Sequence, residues 1–196
     1  MKTVTENEMR AVLKILKSPE IMYNANSLAN DLEISAMGEL KILKRLEAEG
    51  ILKSRQIGNA NVYWANDSGY AEGYAKFLLS KEAESADSLA KRWISEIRKL
   101  KSAYIGILFG SVLIKKDPRD IDVLLVTDQK RFLKLKKEVA ELNEINPKKI
   151  HAIYQTFQDF AENIKKKEPV ILNAIKGIVI FGEGKFLEAL YESRKE

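Results

Sequence analysis

Apolar residues near the start of the chain recur every three or four positions, which is the period of an amphipathic helix. The stretch "NEMRAVLKIL" predicts a helix over residues 7–16. A second stretch, "NSLANDLEIS", predicts a short helix capped by Asn26 or Ser27. A third, "AMGELKILKRLEAEG", predicts a longer helix that Ser35 caps and Gly50 ends. The sequence therefore opens with three consecutive helices.

After these helices, "ILKSRQIGNANVYWAND" predicts two short strands, over residues 51–56 and 61–64, around a Gly-Asn turn. Three helices and a hairpin within about 65 residues form the outline of a winged helix-turn-helix. This part, about residues 5–67, resembles winged-helix regulators in its Leu28-Ala29, Leu46-Glu47 and Gly50-Ile51 pairs. The resemblance implies the winged-helix fold and a DNA-binding function.

In winged helices the third helix enters the major groove, and the wing meets the backbone or the minor groove. We therefore predict seven DNA-contacting residues, with the three basic residues of the third helix facing outward: Ser35, Lys41, Lys44, Arg45, Arg55, Asn59 and Asn61. Glu39 lies near the start of the same helix, and residues 1–70 contain nine Lys/Arg and nine Asp/Glu. Since affinity for DNA depends on neutralised phosphates, a homodimer that doubles the contacts is expected.

The rest of the chain alternates between strand and helix patterns. Helices are predicted over residues 71–79 and 86–101, followed by strands in "AYIGILFG", "IDVLLVTD", "KKIHAIYQT" and "IVIFG" with helical stretches between and after them. This order predicts an α/β (α+β) protein with a mixed sheet and flanking helices. We divide it into a winged-helix domain (1–70), a helical linker (71–87) and a second domain (88–196).

Two aspartates, Asp120 and Asp122, stand at the start of the strand "IDVLLV". Side chains two residues apart on a strand share a face, so the two carboxylates repel each other unless a cation lies between them. A hard divalent cation such as Mg²⁺, which takes oxygen ligands, is the candidate.

The pair Gly110-Ser111 followed by "DIDVLLV" resembles the polymerase-beta-type nucleotidyltransferases in their minimal form, as does the ending "EPVILNAIKGIVIFG". The resemblance covers roughly residues 88–190. It implies that a Gly-Ser turn opens a helix and holds nucleotide phosphates through Gly110 and Ser111. It also implies that Asp120 and Asp122 bind the Mg²⁺ of a nucleoside triphosphate and are catalytic.

The family's third carboxylate is expected on a neighbouring strand, but this chain has His151 at that place, in "KKIHAIY". His151 is therefore predicted either as a catalytic base or as a half-buried strand residue. It is a poor Mg²⁺ ligand and adds no negative charge.

Composition bears on location and partners more than on chemistry. The chain has no cysteine and no apolar run near the ~18 residues that cross a bilayer, and its start lacks a signal-peptide pattern, so a cytoplasmic protein without membrane contact is predicted. The whole net charge of +5 lies in residues 71–196, which favours an anionic ligand there.

Two functions from different classes remain open. The first is a nucleotidyltransferase that moves a nucleoside monophosphate from a Mg²⁺-bound triphosphate to a hydroxyl on protein or RNA. The second is a DNA-binding transcriptional regulator with a catalytically degenerate second domain that senses a nucleotide or contacts a protein. Because minimal nucleotidyltransferases resemble the antitoxin halves of two-gene toxin systems, an antitoxin that binds a toxin is a specific form of the second function.

Overall fold

The structure, a computed structural model, describes residues 4–194. It divides into two compact units, Met1–Leu78 and Leu79–Glu196. Residues 1–3, which begin the predicted winged-helix domain, and residues 195–196, which end the predicted second domain, lie outside the described part. Between residues 4 and 194 no helix is both long enough and apolar enough to cross a membrane.

Three helices and a small antiparallel sheet form most of the first unit, as the sequence predicts. The elements are α1 (Glu6–Lys17), β1 (Tyr23–Asn24), α2 (Ala25–Leu32), α3 (Ala36–Ala48), β2 (Leu52–Ile57) and β3 (Ala60–Ala65). The sheet has the strand order β1-β3-β2, and this order of elements is that of a winged helix-turn-helix.

Local side-chain chemistry sets where these helices begin. The Ser35 hydroxyl accepts a hydrogen bond from the Gly38 amide and caps α3, as predicted. The predicted cap of α2 is wrong: Asn24 caps that helix, and Ser27 completes a reciprocal capping box from inside the first turn. The strand β1 has only two residues, too few to leave a pattern in the sequence.

A long helix, α4 (Gly69–Ser85), follows the wing and spans the division between the two units. It continues through the polar stretch that predicts an interruption, because Lys, Glu and Ala favour helix as strongly as apolar residues do. The next helix, α5 (Ser88–Ile97), begins where the Asp87 carboxylate accepts a hydrogen bond from the Ala90 amide.

The second unit is built on a four-stranded mixed sheet with flanking helices, which confirms the predicted fold class. After α5 the elements are β4 (Ile105–Phe109), a single 3-10 turn (Gly110–Leu113), β5 (Ile121–Val126), α6 (Gln129–Ile145), β6 (Ile150–Gln155), α7 (Phe157–Lys165), α8 (Pro169–Ile175), β7 (Ile178–Phe181) and α9 (Glu183–Glu192). The strand order is β6-β5-β4-β7; β5 and β6 are parallel, and the other neighbours are antiparallel.

The two central strands of this sheet are almost wholly buried. Every residue of β4 is buried, and so is every residue of β5 except Asp122. Trp93 of α5 and Leu135 of α6 belong to the core on one side of the sheet. Buried apolar surface of this extent holds the strands rigid, so the polar residues at the start of β5 are fixed in position.

Candidate functional site

The outward face of α3 is basic. Met37, Lys41, Lys44 and Ala48 are exposed at the i, i+4, i+7, i+11 spacing of one helix face. Within α3, all of which the structure describes, the carboxylates lie elsewhere: Glu39 is fully buried, and Glu47 accepts a hydrogen bond from the Ser54 hydroxyl. The two lysines therefore face solvent with no acidic side chain on their own helix face.

Arg45 departs from the prediction that it faces outward. Its side chain is about one-third exposed, and its guanidinium pairs with Glu8, which is almost buried, and with Glu49 at 3.8 Å. A buried carboxylate needs such a partner to remain charged. Arg45 therefore joins α3 to α1 instead of offering its charge at the surface.

The wing residues lie where the sequence predicts them. Arg55, Asn59 and Asn61 are all exposed, on β2, on the turn and on β3. Gly58 has a positive φ of 58°, which allows the tight turn between the strands. The stretch from Leu52 to Ala65 contains no acidic residue and two basic ones. Lys53 is paired with Asp67, so the wing offers the charge of Arg55 together with several amide groups.

In the second unit, the structure brings three predicted residues together. Asp120 immediately precedes β5, Asp122 is the second residue of β5, and His151 lies beside Asp122 in the parallel register with β6. The Nδ1 atom of His151 is 3.3 Å from Oδ2 of Asp120. One ligand atom from each residue lies within 4.8 Å of the others, and residues 4–194 contain no other group of three acidic or histidine side chains as close as this.

Gly110 makes room for one of these carboxylates. Its φ is +77°, and a Cβ built on it would lie 2.3 Å from Oδ2 of Asp122. A Cβ here would push the Asp122 carboxylate aside, and the positive φ strains any residue other than glycine, so both features favour glycine at this position. The end of β4 and the start of β5 therefore hold Asp122 against a bare backbone.

Ser111 lies in the single 3-10 turn of residues 110–113, where its backbone carbonyl accepts hydrogen bonds from Ile114 and Lys115. The resemblance implies that a helix opens at this place, and the structure has one turn of 3-10 helix there instead of a full α-helix. A four-residue turn has little of the dipole that a full α-helix offers to an anion. Phosphate held here would depend on individual amides and on nearby cations.

Burial raises the pKa of Asp122 above its ordinary value, and the like charge of Asp120 raises it further, while His151 lowers it. The protein therefore places two carboxylates where they destabilise each other, as the sequence pattern predicts. A cation shared by the two would relieve the repulsion.

His151 is exposed, with about two-thirds of its side chain accessible, so the interpretation of it as a half-buried strand residue is wrong. Within residues 4–194 no carboxylate takes the place of the missing third one. Asp128, the next acidic residue along β5, follows the other end of the strand, about 20 Å away at the usual rise per residue. Its carboxylate caps α6 and accepts a hydrogen bond from the Tyr104 hydroxyl.

Of the three side chains in this cluster, Asp120 and Asp122 suit Mg²⁺ and His151 does not. Carboxylate oxygens suit this ion, whereas an imidazole nitrogen suits borderline metals such as Zn²⁺. Two protein carboxylates with water and phosphate oxygens are a usual Mg²⁺ environment, but His151 occupies the place of an oxygen ligand.

The surroundings of this cluster contain features that sequence analysis does not single out. A cavity of about 530 Å³ lies between α6 and the edge strand β6, with Asp122, His151 and Lys136 among its lining residues. Lys115 and Lys116, in the loop that leads to Asp120, are exposed. The "KK" pair in that loop is visible in the sequence and indicates a basic loop beside the aspartates. The cavity is not visible there, because it forms only when α6 packs on the sheet.

Comparison with known proteins does not assign this chain to a family. No protein-family model matches the chain, and no curated protein matches it. Solved structures similar to it include three mutant forms of Lactococcus lactis ZitR, at 17–18% identity over 50% of this chain and 72–73% of the other. Their TM-scores of 0.31–0.32 are too low to bear on fold or function.

Proposed function

We propose that this protein binds DNA through its first unit and acts as a transcriptional regulator. One observation supports the proposal above the others: the exposed face of α3 offers Lys41 and Lys44 and no carboxylate. The neutral overall charge of residues 1–70 is a weaker argument against DNA binding once Glu39 is seen to be turned into the core, away from the exposed face of α3.

In this proposal α3 lies in the major groove with Lys41 and Lys44 at phosphates or base edges, and Ser35 at its N-terminal end. Arg55, Asn59 and Asn61 of the wing contact the backbone or the minor groove. Few cations face the DNA in one copy, so we propose a homodimer on two half-sites, which doubles the phosphate contacts. An antitoxin-like regulator that also binds a toxin protein through its second unit is a specific form of this function.

The double variant Lys41→Glu/Lys44→Glu tests the proposal. We expect its affinity for a DNA fragment from upstream of its own coding region to fall by about tenfold or more, because phosphate neutralisation dominates affinity. The slope of log affinity against log salt should also fall by about two, one for each phosphate that is no longer neutralised. Fluorescence anisotropy at several salt concentrations measures both quantities.

The matched control is Lys130→Glu/Lys134→Glu, which makes the same charge change at two exposed positions of α6. It should retain most of the affinity. An equal loss in both double variants would assign binding to bulk charge and would contradict the role of α3. No binding of wild type at low salt would end the proposal.

A second candidate function is binding of a Mg²⁺-nucleoside triphosphate by the second unit, with or without transfer of its nucleoside monophosphate to a hydroxyl. The close seating of Asp122 on Gly110, beside a cavity of a size that holds small ligands, favours it. In this function Gly110 and Ser111 hold phosphate, Asp120 and Asp122 hold the metal, and His151 is the candidate base. The lack of a third carboxylate among the described residues argues for binding without catalysis.

Calorimetric titration with Mg²⁺-ATP and the other Mg²⁺-triphosphates tests the second candidate. Wild type should bind at least one of them, and Asp122→Asn should lose that binding because it removes a metal-ligand charge. Glu144→Gln, an exposed position on α6, removes a charge away from the cluster and should bind as wild type does. If no triphosphate binds wild type, the second candidate is excluded.

A further inference from the structure

The cluster at the start of β5 has a donor set of its own, two carboxylates and one imidazole. We propose that Asp120, Asp122 and the Nδ1 atom of His151 bind a borderline divalent cation, Zn²⁺ or Co²⁺, in preference to Mg²⁺. The inference concerns the same side chains as the second candidate function, but it requires neither a nucleotide nor DNA.

The distances suit a metal of this class. With metal–ligand bonds of about 2.1 Å, two ligand atoms at a tetrahedral angle are about 3.4 Å apart. The separation of 3.3 Å between Nδ1 of His151 and Oδ2 of Asp120 matches that edge. The three ligand atoms lie within 4.8 Å of one another, so the longest separation is at most about 1.4 Å greater than that edge. Rotation of one carboxylate about its side-chain bonds would bring the three atoms to tetrahedral spacing.

The backbone holds the ligands in place before a metal arrives. Asp122 and His151 are register partners on adjacent parallel strands, so their side chains leave the sheet on the same face. The bare backbone at Gly110 gives the Asp122 carboxylate its place beside the end of β4. This contact places the Asp122 carboxylate against the backbone instead of on an open surface.

Charge and ligand type then select the ion. Two carboxylates balance the charge of a divalent cation, and imidazole nitrogen binds Zn²⁺ and Co²⁺ far better than it binds Mg²⁺, which prefers oxygen donors. Three protein ligands leave coordination positions open to water or to a further ligand. His151 is largely exposed and Asp120 is partly exposed, so an ion can reach the cluster from solvent.

The presence of a single histidine in the chain makes a direct test available. Long-range ¹H–¹⁵N spectra of the untagged full-length protein contain one imidazole, so every change in its signals belongs to His151. We expect Zn²⁺ to shift the Nδ1 resonance in the manner of metal coordination, and Mg²⁺ at much higher concentration to leave it unchanged.

Three variants measured by calorimetry complete the test. His151→Gln should weaken Zn²⁺ binding by about tenfold or more. His151→Asp, which makes the site all-oxygen, should shift the ratio of Zn²⁺ to Mg²⁺ affinity toward Mg²⁺ by about tenfold or more. Glu144→Gln should bind both metals as wild type does. Circular dichroism checks that each variant is folded. We expect folded variants, because His151 is exposed and its substitution leaves the core unchanged.

Two results would overturn the inference. One is an Nδ1 resonance that Zn²⁺ does not move, and the other is a His151→Asp variant whose Zn²⁺ to Mg²⁺ ratio equals that of wild type. Metal binding without any triphosphate binding would uphold the inference and exclude the second candidate function alone. DNA binding is measured on the other unit, so its success or failure leaves this result unaffected.

Discussion

Glu39, in the first turn of α3, is a fully buried carboxylate. Neither of its oxygens has a hydrogen-bond partner among the described residues, and burial raises its pKa from 4.5 to about 7. From the sequence alone it is an acidic residue on the helix predicted to contact DNA. The packing of α3 removes it from that surface and makes it a determinant of stability.

The buried Glu39 predicts a specific dependence of the free energy of unfolding on pH. The folded state holds a proton that the unfolded chain releases above pH 4.5, so the first unit should lose stability as the pH rises from about 4.5 to about 7. The loss should level off above pH 7, at a total of no more than about 3 kcal/mol. Glu39→Gln should abolish this dependence. Urea unfolding at several pH values, followed on amide resonances of residues 6–65, measures it.

The control for this prediction is Glu49→Gln, which changes an exposed carboxylate at the end of the same helix. It should keep the pH dependence of wild type. A Glu39→Gln variant that loses stability with rising pH as steeply as wild type would show that another group is responsible.

The sequence predicts the positions of some residues in the candidate metal cluster better than those of others. The shared face of Asp120 and Asp122 follows from the two-residue period of a strand. The place of His151 beside them depends on β6 pairing with β5 in one particular register, and its exposure depends on β6 being an edge strand. Neither property is local, so the sequence could suggest them only through the resemblance.

At the scale of elements, the junction between α8 and β7 depends on a glycine. A Cβ on Gly177 would lie 2.2 Å from the carbonyl oxygen of Leu108 and 2.7 Å from Cβ of Phe109. Both contacts are with β4, a rigid central strand. The approach of α8 and β7 to β4 is therefore possible only without a side chain at this position.

We expect Gly177→Ala to destabilise the second unit by about 1–3 kcal/mol, because the strand or the junction must move to admit the methyl group. Urea unfolding followed on amide resonances of residues 105–190 measures the change.

Gly73→Ala is the comparison for an open position, since Gly73 lies inside α4 with open space where the Cβ would be. That substitution should raise the stability of the first unit, to which Gly73 belongs, by about 0.5–1 kcal/mol through helix propensity, read on amide resonances of residues 6–65. If Gly177→Ala were as harmless as Gly73→Ala, the close packing of this junction against β4 would be contradicted.

The errors of the sequence-based element predictions have a common origin. The pattern favours Asn26 or Ser27 as the cap of α2 because both are good capping residues, whereas the turn and the short strand before the helix select Asn24. The polar stretch near the end of α4 predicts a break, yet the helix continues through it. Both boundaries are set by local side-chain chemistry that the pattern of apolar positions does not contain: the capping box at Asn24 and the helix propensity of Lys, Glu and Ala.

At the scale of the whole molecule, the chain consists of two units with different chemistry. The first has a basic helix face and a wing without acidic residues. The second has paired carboxylates, an imidazole and a cavity. The whole net charge lies in residues 71–196, yet the surface that supports DNA binding is in the neutral part. The two observations agree because the net charge includes every residue of a unit, whereas DNA would contact only the exposed face of α3 and the wing.

The sequence by itself determined the order and type of most helices and strands, the mixed character of the second sheet and the pairing of Asp120 with Asp122. These features follow from periodicity and from local resemblance, which short stretches encode. Only the tertiary structure decided that Glu39 is buried, that Arg45 is bound to Glu8, and that His151 joins the two aspartates. Each of these depends on residues distant in the chain meeting in one packed arrangement, and burial and charge pairing exist only in that arrangement.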